Sequence, residues 1–125
     1  MKDNKFVILC VDDDPDVLDS LRIILESKGY FMVGAESAEA GLKLYRTEAP
    51  DLVLVDLMME EVDSGTSLVT QLRAQGNQAP VYMLSSVGEE LNHSIDHEKL
   101  GLAGVFQKPL SSTVLLKTLQ ARLRR

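Results

Sequence analysis

The sequence predicts a doubly wound α/β fold, a parallel five-stranded sheet with helices on both faces. Two observations predict it. Five short apolar runs fall at residues 6–11, 30–35, 52–55, 81–84 and 105–107, and amphipathic stretches separate them. The first run, FVILCV, is continuous and short, as expected of a strand buried on both faces. Strand–helix alternation of this kind implies a parallel sheet covered by helices, and right-handed crossovers wind it in both directions.

The elements follow in order. After the first strand, Asp14 and Pro15 signal an N-cap and a first helical turn. Val17, Leu18, Leu21, Ile24 and Leu25 then recur at helical spacing, and Gly29 marks the stop. Tyr30 to Ala35 is the second strand. Ser37 caps a helix to about Glu48, with Leu42, Leu44 and Tyr45 as its apolar residues, and Pro50 closes that segment. Leu52 to Val55 is the third strand and ends at Asp56. Ser67 to Ala74 reads as helix, and Gly76 with Asn77 as a turn. Val81 to Leu84 is the fourth strand, ending at Ser85 and Ser86. Glu89 to Leu100 is a polar helix. Val105 to Gln107 is a short fifth strand before Lys108 and Pro109. Ser111 or Ser112 caps a last helix carrying Val114, Leu115, Leu119 and Leu123.

Composition narrows the function. The 125 residues suit one domain, and 45% hydrophobic with 26% charged residues is ordinary for a globular protein. Cys10 stands alone, so no intramolecular disulfide forms, and it reads as a small core residue. No apolar run approaches a membrane span, and the polar residues 1–5 are not the start of a signal peptide, which places the expectation in the cytoplasm. A net charge of −6 argues against direct nucleic-acid binding, which relies on Lys and Arg to neutralise phosphates. Arg122, Arg124 and Arg125 are the one basic cluster, and they complement a helix C-terminus.

In an open parallel sheet the site lies beyond the C-terminal ends of the strands. Asp12, Asp13 and Asp14 follow the first strand, Asp56 the third, Ser85 and Ser86 the fourth, and Lys108 the fifth. Converging carboxylates repel one another, and a hard divalent cation such as Mg²⁺ relieves that repulsion with oxygen ligands. Asp56 is then placed to attack an electrophilic phosphorus. Lys108 supplies a second positive charge and Ser85 a hydroxyl for a phosphoryl oxygen. Any one of these residues has an ordinary explanation, and for Asp14 a helix cap is the better one. Four independent strand ends carrying the required residue types outweigh it.

ILCVDDDP (8–15), DLVLVDLMM (51–59), YMLSS (82–86) and QKPL (107–110) together resemble the receiver domains of two-component response regulators, over nearly the whole chain. The resemblance implies a flavodoxin-like (βα)₅ fold with strand order 2-1-3-4-5. It implies Asp56 as phosphoacceptor, and Mg²⁺ (or Mn²⁺) held by Asp12, Asp13, Asp56 and the Met58 backbone carbonyl. Asp13 is the direct ligand of the acidic pair, and Asp12 acts mainly through water. Ser85 becomes the switch hydroxyl, Lys108 the phosphoryl partner, and Lys108–Pro109 a cis bond. The implied donor is a histidine kinase or a histidine phosphotransfer protein, and the domain catalyses only its own phosphorylation and dephosphorylation. There are departures. Glu60 stands where the family has Pro, and EEVDSG (60–65) delays a Gly. Val105 occupies the usual aromatic position, with Phe106 one place later, on the opposite face of a strand. Ser86 replaces a common Ala.

Other constellations carry less. Asp12, Asp14 and Asp16 open like an EF-hand loop, but Val17 and Ile23 stand where Gly and Glu are required. His93 and His97 at i, i+4 read as a solvated helix face. No nucleotide-binding glycine loop or nucleophile elbow occurs. A metal-dependent phosphohydrolase would need a second Asp where Met58 stands. The alternative function is a phosphorylation-independent interaction module of the same fold. Residues 1–125 read as one stand-alone domain acting through an unknown downstream protein, and a fragment of a larger regulator fits the same sequence.

Overall fold

A computed structural model describes residues 4–56, 64–85, 102–108 and 110–123, with the side chains of 64–67 left aside. The elements are β1 (Val7–Val11), α1 (Pro15–Glu26), β2 (Phe31–Ala35), α2 (Ala38–Glu48), β3 (Leu52–Asp56), α3 (Ser64–Ala74), β4 (Val81–Ser85), β5 (Gly104–Gln107) and α4 (Ser112–Arg122). The five strands form one parallel sheet in the order β2-β1-β3-β4-β5. That is the order and strand direction expected. The polar helix expected at 89–100 lies outside the described residues.

The sheet separates two apolar layers. On one side Ile8, Cys10, Leu52, Leu54 and Leu84 meet Leu18, Leu21 and Leu25 of α1 and Leu115 and Leu119 of α4. On the other, Leu9, Val11, Val53, Val55 and Met83 meet Leu68, Val69 and Leu72 of α3 and the partly buried Leu42, Leu44 and Tyr45 of α2. Alternate residues of each strand therefore serve opposite layers, and β1, β3 and β4 are buried throughout. Burial pushes the Cys10 thiol well up, so it stays a neutral core group.

Local signals end the helices much as expected. Asp14 caps α1, accepting from Asp16 N at 2.9 Å. Gly29, at φ 83, turns the chain so that Tyr30 N donates to Leu25 O at 3.1 Å. Ser37 caps α2, and Ser111 rather than Ser112 caps α4 by accepting from Val114 N at 3.3 Å. One detail differs. Helix α3 begins at Ser64, three residues before the expected Ser67, and so takes Gly65 into its first turn. Of the apolar residues that the sequence assigns to the last helix, Val114 is 54% exposed, and Leu115 and Leu119 make the buried stripe of α4.

Close approach of α2 to β1 depends on one glycine. A Cβ on Gly41 would stand 2.8 Å from Val11 Cγ2, inside van der Waals contact. Gly41 is the buried residue of α2, and its lack of a side chain lets the helix lie against the strand that delivers Asp12.

Candidate functional site

Three consecutive aspartates after β1 take three different roles. Asp12 N donates to Ala35 O at 3.0 Å, extending the β1–β2 ladder by one residue. The Asp12 side chain is fully buried, and its Oδ1 accepts from Asp14 N at 2.9 Å, which folds the turn into α1. Asp13 is half-exposed beside it, and Asp14 is the exposed cap. The cap reading of Asp14 holds.

Asp56 closes β3 and is only 4% exposed. Lys108 follows β5, the edge strand, and its side chain reaches back past β4 to both acids. Its Nζ lies 2.8 Å from Asp12 Oδ2 and 3.2 Å from Asp56 Oδ1. Burial alone would depress the Lys108 ammonium, but Asp12, and after it Asp56, more than offset this and raise its pKa. The Lys108 backbone is tied as well, since its N donates to Ser85 O at 2.6 Å. Ser85 ends β4 and is 1% exposed. Asp12, Asp13, Asp56, Ser85 and Lys108 therefore gather at one edge of the sheet, as the strand ends predict. Met58, Ser86, Pro109 and the Glu60 loop lie outside the described residues.

Carboxylate oxygens of Asp12, Asp13 and Asp56 all fall within 4.8 Å of one another, close enough for one cation to draw on all three. The buried Asp12 Oδ2 makes no directed hydrogen bond, although the Lys108 ammonium is adjacent to it. An all-oxygen donor set with such an atom suits a hard divalent ion. Metal binding at this cluster is consistent with its chemistry.

The chain matches the response regulator receiver domain family over residues 8–120. It belongs to that family. The receiver domain is 36% identical over 118 residues to the alkaline phosphatase synthesis transcriptional regulatory protein PhoP of Bacillus subtilis, covering 94% of this chain and 48% of that protein. It is 33% identical over 116 residues to the transcriptional regulatory protein GlrR of Escherichia coli, covering 93% of this chain and 26% of that one. The chain thus spans about half the length, or less, of these curated relatives. Among solved structures, the receiver domain of NtrX from Brucella abortus superposes with a TM-score of 0.83 at 26% identity, covering 93% of this chain and 97% of that one. The Vibrio cholerae chemotaxis protein CheY4 gives 0.82 at 26% identity, covering 95% and 99%. The family's role is that of a phosphoacceptor in two-component signalling, not of a conventional enzyme. Membership favours this over the phosphorylation-independent module. Among the described residues no helix is long and apolar enough to cross a membrane.

Val105 and Phe106 serve opposite faces of the sheet, as their adjacent places on a strand predict. Val105 packs in the α2–α3 layer, the face that Met83 also serves. Phe106 points the other way, 7% exposed, with its ring 5.0 Å from that of Tyr82 and tilted by 32°. The sequence marks Tyr82 only as a strand residue. It also accepts from Arg122 Nε at 2.9 Å, joining β4 to the end of α4. Its ring covers Gly104, where a Cβ would stand 3.0 Å from Tyr82 Cε2. Cross-strand pairing of Tyr82 with Gly104 explains the glycine, but that register is invisible until the sheet is assembled.

Proposed function

We propose that this receiver domain is a Mg²⁺-dependent switch that takes a phosphoryl group on Asp56 from a phosphohistidine donor. The observation that carries the reading is Lys108 held between Asp12 and Asp56 beside the three-carboxylate cluster. The donor's N–P bond breaks as an Asp56 Oδ–P bond forms, and the imidazole leaves with the bonding electron pair. Asp12, Asp13 and Asp56, with the backbone carbonyl of Met58, are the residues that would hold the ion. When bound, Mg²⁺ offsets negative charge on the transferring group and on the carboxylates.

The chain's own residues do the rest. Lys108 already carries a stabilised positive charge and exchanges its Asp56 contact for a phosphoryl oxygen. Ser85 offers its hydroxyl from the neighbouring strand end. A new charge of about −2 at Asp56 pulls on both. The Lys108 N to Ser85 O bond makes the ends of β4 and β5 move together, and a protein partner that prefers one arrangement reads the change. A cavity of about 280 Å³ lined by Val17, Ile24, Leu110 and Lys108 lies next to the site. It supports docking of the donor, a histidine kinase or phosphotransfer protein, against α1. We read residues 1–125 as one receiver domain.

The test is intact mass after incubation with Mg²⁺ and acetyl phosphate, beside Asp56→Ala. One Mg²⁺-dependent phosphoryl addition, absent from the variant, is expected. An addition that survives in Asp56→Ala would place the acceptor elsewhere.

A further inference from the structure

The sheet ends at β2, and among the described residues no strand pairs with its outer side. The strand is apolar as well as open. Tyr30 to Ala35 reads YFMVGA, without a charged residue or a proline. Natural edges usually carry one or the other, because an open apolar edge invites a strand from another chain.

The ladder fixes which backbone groups face outward. Phe31 N donates to Phe6 O at 2.9 Å and Asp12 N donates to Ala35 O at 3.0 Å, so Phe31 and Ala35 turn these groups toward β1. Successive residues of a strand alternate, and Met32 and Gly34 therefore turn their N–H and C=O groups to the open side. That arrangement suits a second copy of the same strand. In an antiparallel pairing centred on Val33, Met32 of each copy stands opposite Gly34 of the other. Each such pair exchanges both of its backbone hydrogen bonds, and each needs a Met32 carbonyl.

That carbonyl is taken. Arg22 Nη1, reaching over from α1, donates to Met32 O at 3.2 Å, and Glu26 Oε2 accepts from the same nitrogen at 3.3 Å. The charge that β2 lacks is thus supplied by the neighbouring helix. A second strand must displace the guanidinium before it can pair.

We propose that Arg22 guards the β2 edge and keeps two copies of this receiver domain from joining their sheets through Met32 and Gly34. A contact that merely tied α1 to β2 would leave the state of association unchanged when cut.

The experiment compares wild type with Arg22→Ala by sedimentation equilibrium and by amide hydrogen exchange in NMR, from about 10 µM to about 1 mM protein. Arg22 lies on the exposed side of α1 and alanine favours helix, so the variant keeps its fold. Wild type should stay monomeric, with Met32 and Gly34 amides exchanging freely at every concentration. Arg22→Ala should rise toward the mass of a dimer, and exchange at Met32 and Gly34 should slow about tenfold where the dimer predominates. The Val33 amide, which faces β1, should not change with concentration. Arg22→Lys keeps a cation at the edge and should stay monomeric. An Arg22→Ala protein that remains monomeric, or that associates without protecting Met32 and Gly34, overturns the proposal. So does a wild type whose Met32 and Gly34 amides gain protection with concentration. Association of Arg22→Lys as strong as that of Arg22→Ala overturns the role of the charge.

Discussion

Lys108 Nζ stands 2.8 Å from Asp12 Oδ2, although their strands are separated in the sheet by β3 and β4. One ammonium from an edge strand thus neutralises a buried acid near the centre of the sheet. With Asp56 Oδ1 at 3.2 Å, it also keeps two carboxylates compatible without metal. Lys108→Met should therefore lose about 2–4 kcal/mol in metal-free urea unfolding, because it strands buried charge. Mg²⁺ should then stabilise the variant more than it does the wild type. An equal Mg²⁺ increment in both would show that Lys108 and the ion do not share the same carboxylates.

The same contact sets an alkaline limit. The folded-state pKa of Lys108 is raised above its ordinary 10.5, with burial opposing and Asp12 and Asp56 prevailing. A raised pKa means the folded state holds the proton more tightly than the unfolded one. Its stabilisation is then fully present below about 10.5 and is lost as pH climbs through the higher folded value. The stability gap between wild type and Lys108→Met should be flat from neutral pH to about 10 and shrink above it. Urea titrations at several alkaline pH values measure this, and a gap that shrinks between pH 6 and 8 would contradict it.

Gly41→Ala tests the approach of α2 to β1. The new methyl meets Val11 Cγ2 at 2.8 Å, so the expected loss is about 1–3 kcal/mol despite alanine's better helix propensity. Adding Val11→Ala should recover part of that loss, because the clash partner is gone. A Gly41→Ala protein as stable as wild type would mean that α2 shifts freely on the sheet.

Phe106 and Val105 should differ in what their removal costs. Phe106→Ala empties a place beside Tyr82 in the α1–α4 layer and should cost about 3–5 kcal/mol. Val105→Ala, on a partly buried position of the other layer, should cost about 1 kcal/mol. Both are read by denaturant midpoints, and reversal of that order would refute the assignment of the two residues to opposite faces.

Without divalent cation, the Asp12–Asp13–Asp56 cluster should leave the protein measurably less stable than with Mg²⁺ at 100 times its Kd, where linkage predicts a gain of about 2.7 kcal/mol. Asp13→Asn should shrink that gain with little change to the metal-free protein, since Asp13 is half-exposed and outside the Lys108 contacts. Thermal unfolding with and without Mg²⁺ checks both statements.

Much of this was legible one segment at a time. Apolar runs, caps at Asp14 and Ser37, and the glycine stop at Gly29 are local signals, set by backbone sterics and orphaned helix amides. Strand ends are local too, and in a parallel sheet they all face one edge, so the convergence of Asp12, Asp56, Ser85 and Lys108 is legible in the sequence. The early start of α3 is not legible in the sequence, because a glycine in a first turn resembles loop until the helix packs. Val114 is exposed because it stands one residue before the Leu115–Leu119 stripe, and neighbouring positions of a helix face different directions.

By itself, then, the sequence determined the sheet, its helical layers and the residues at its functional edge, because periodicity and residue type are properties of short stretches. Tertiary structure alone decided how those residues divide the work. It buried Asp12 and left Asp14 as a cap, laid Lys108 across two strands, and sent Phe106 to Tyr82 and Tyr82 to Arg122. These outcomes depend on register and on the distance between elements far apart in the chain, and no local pattern encodes either.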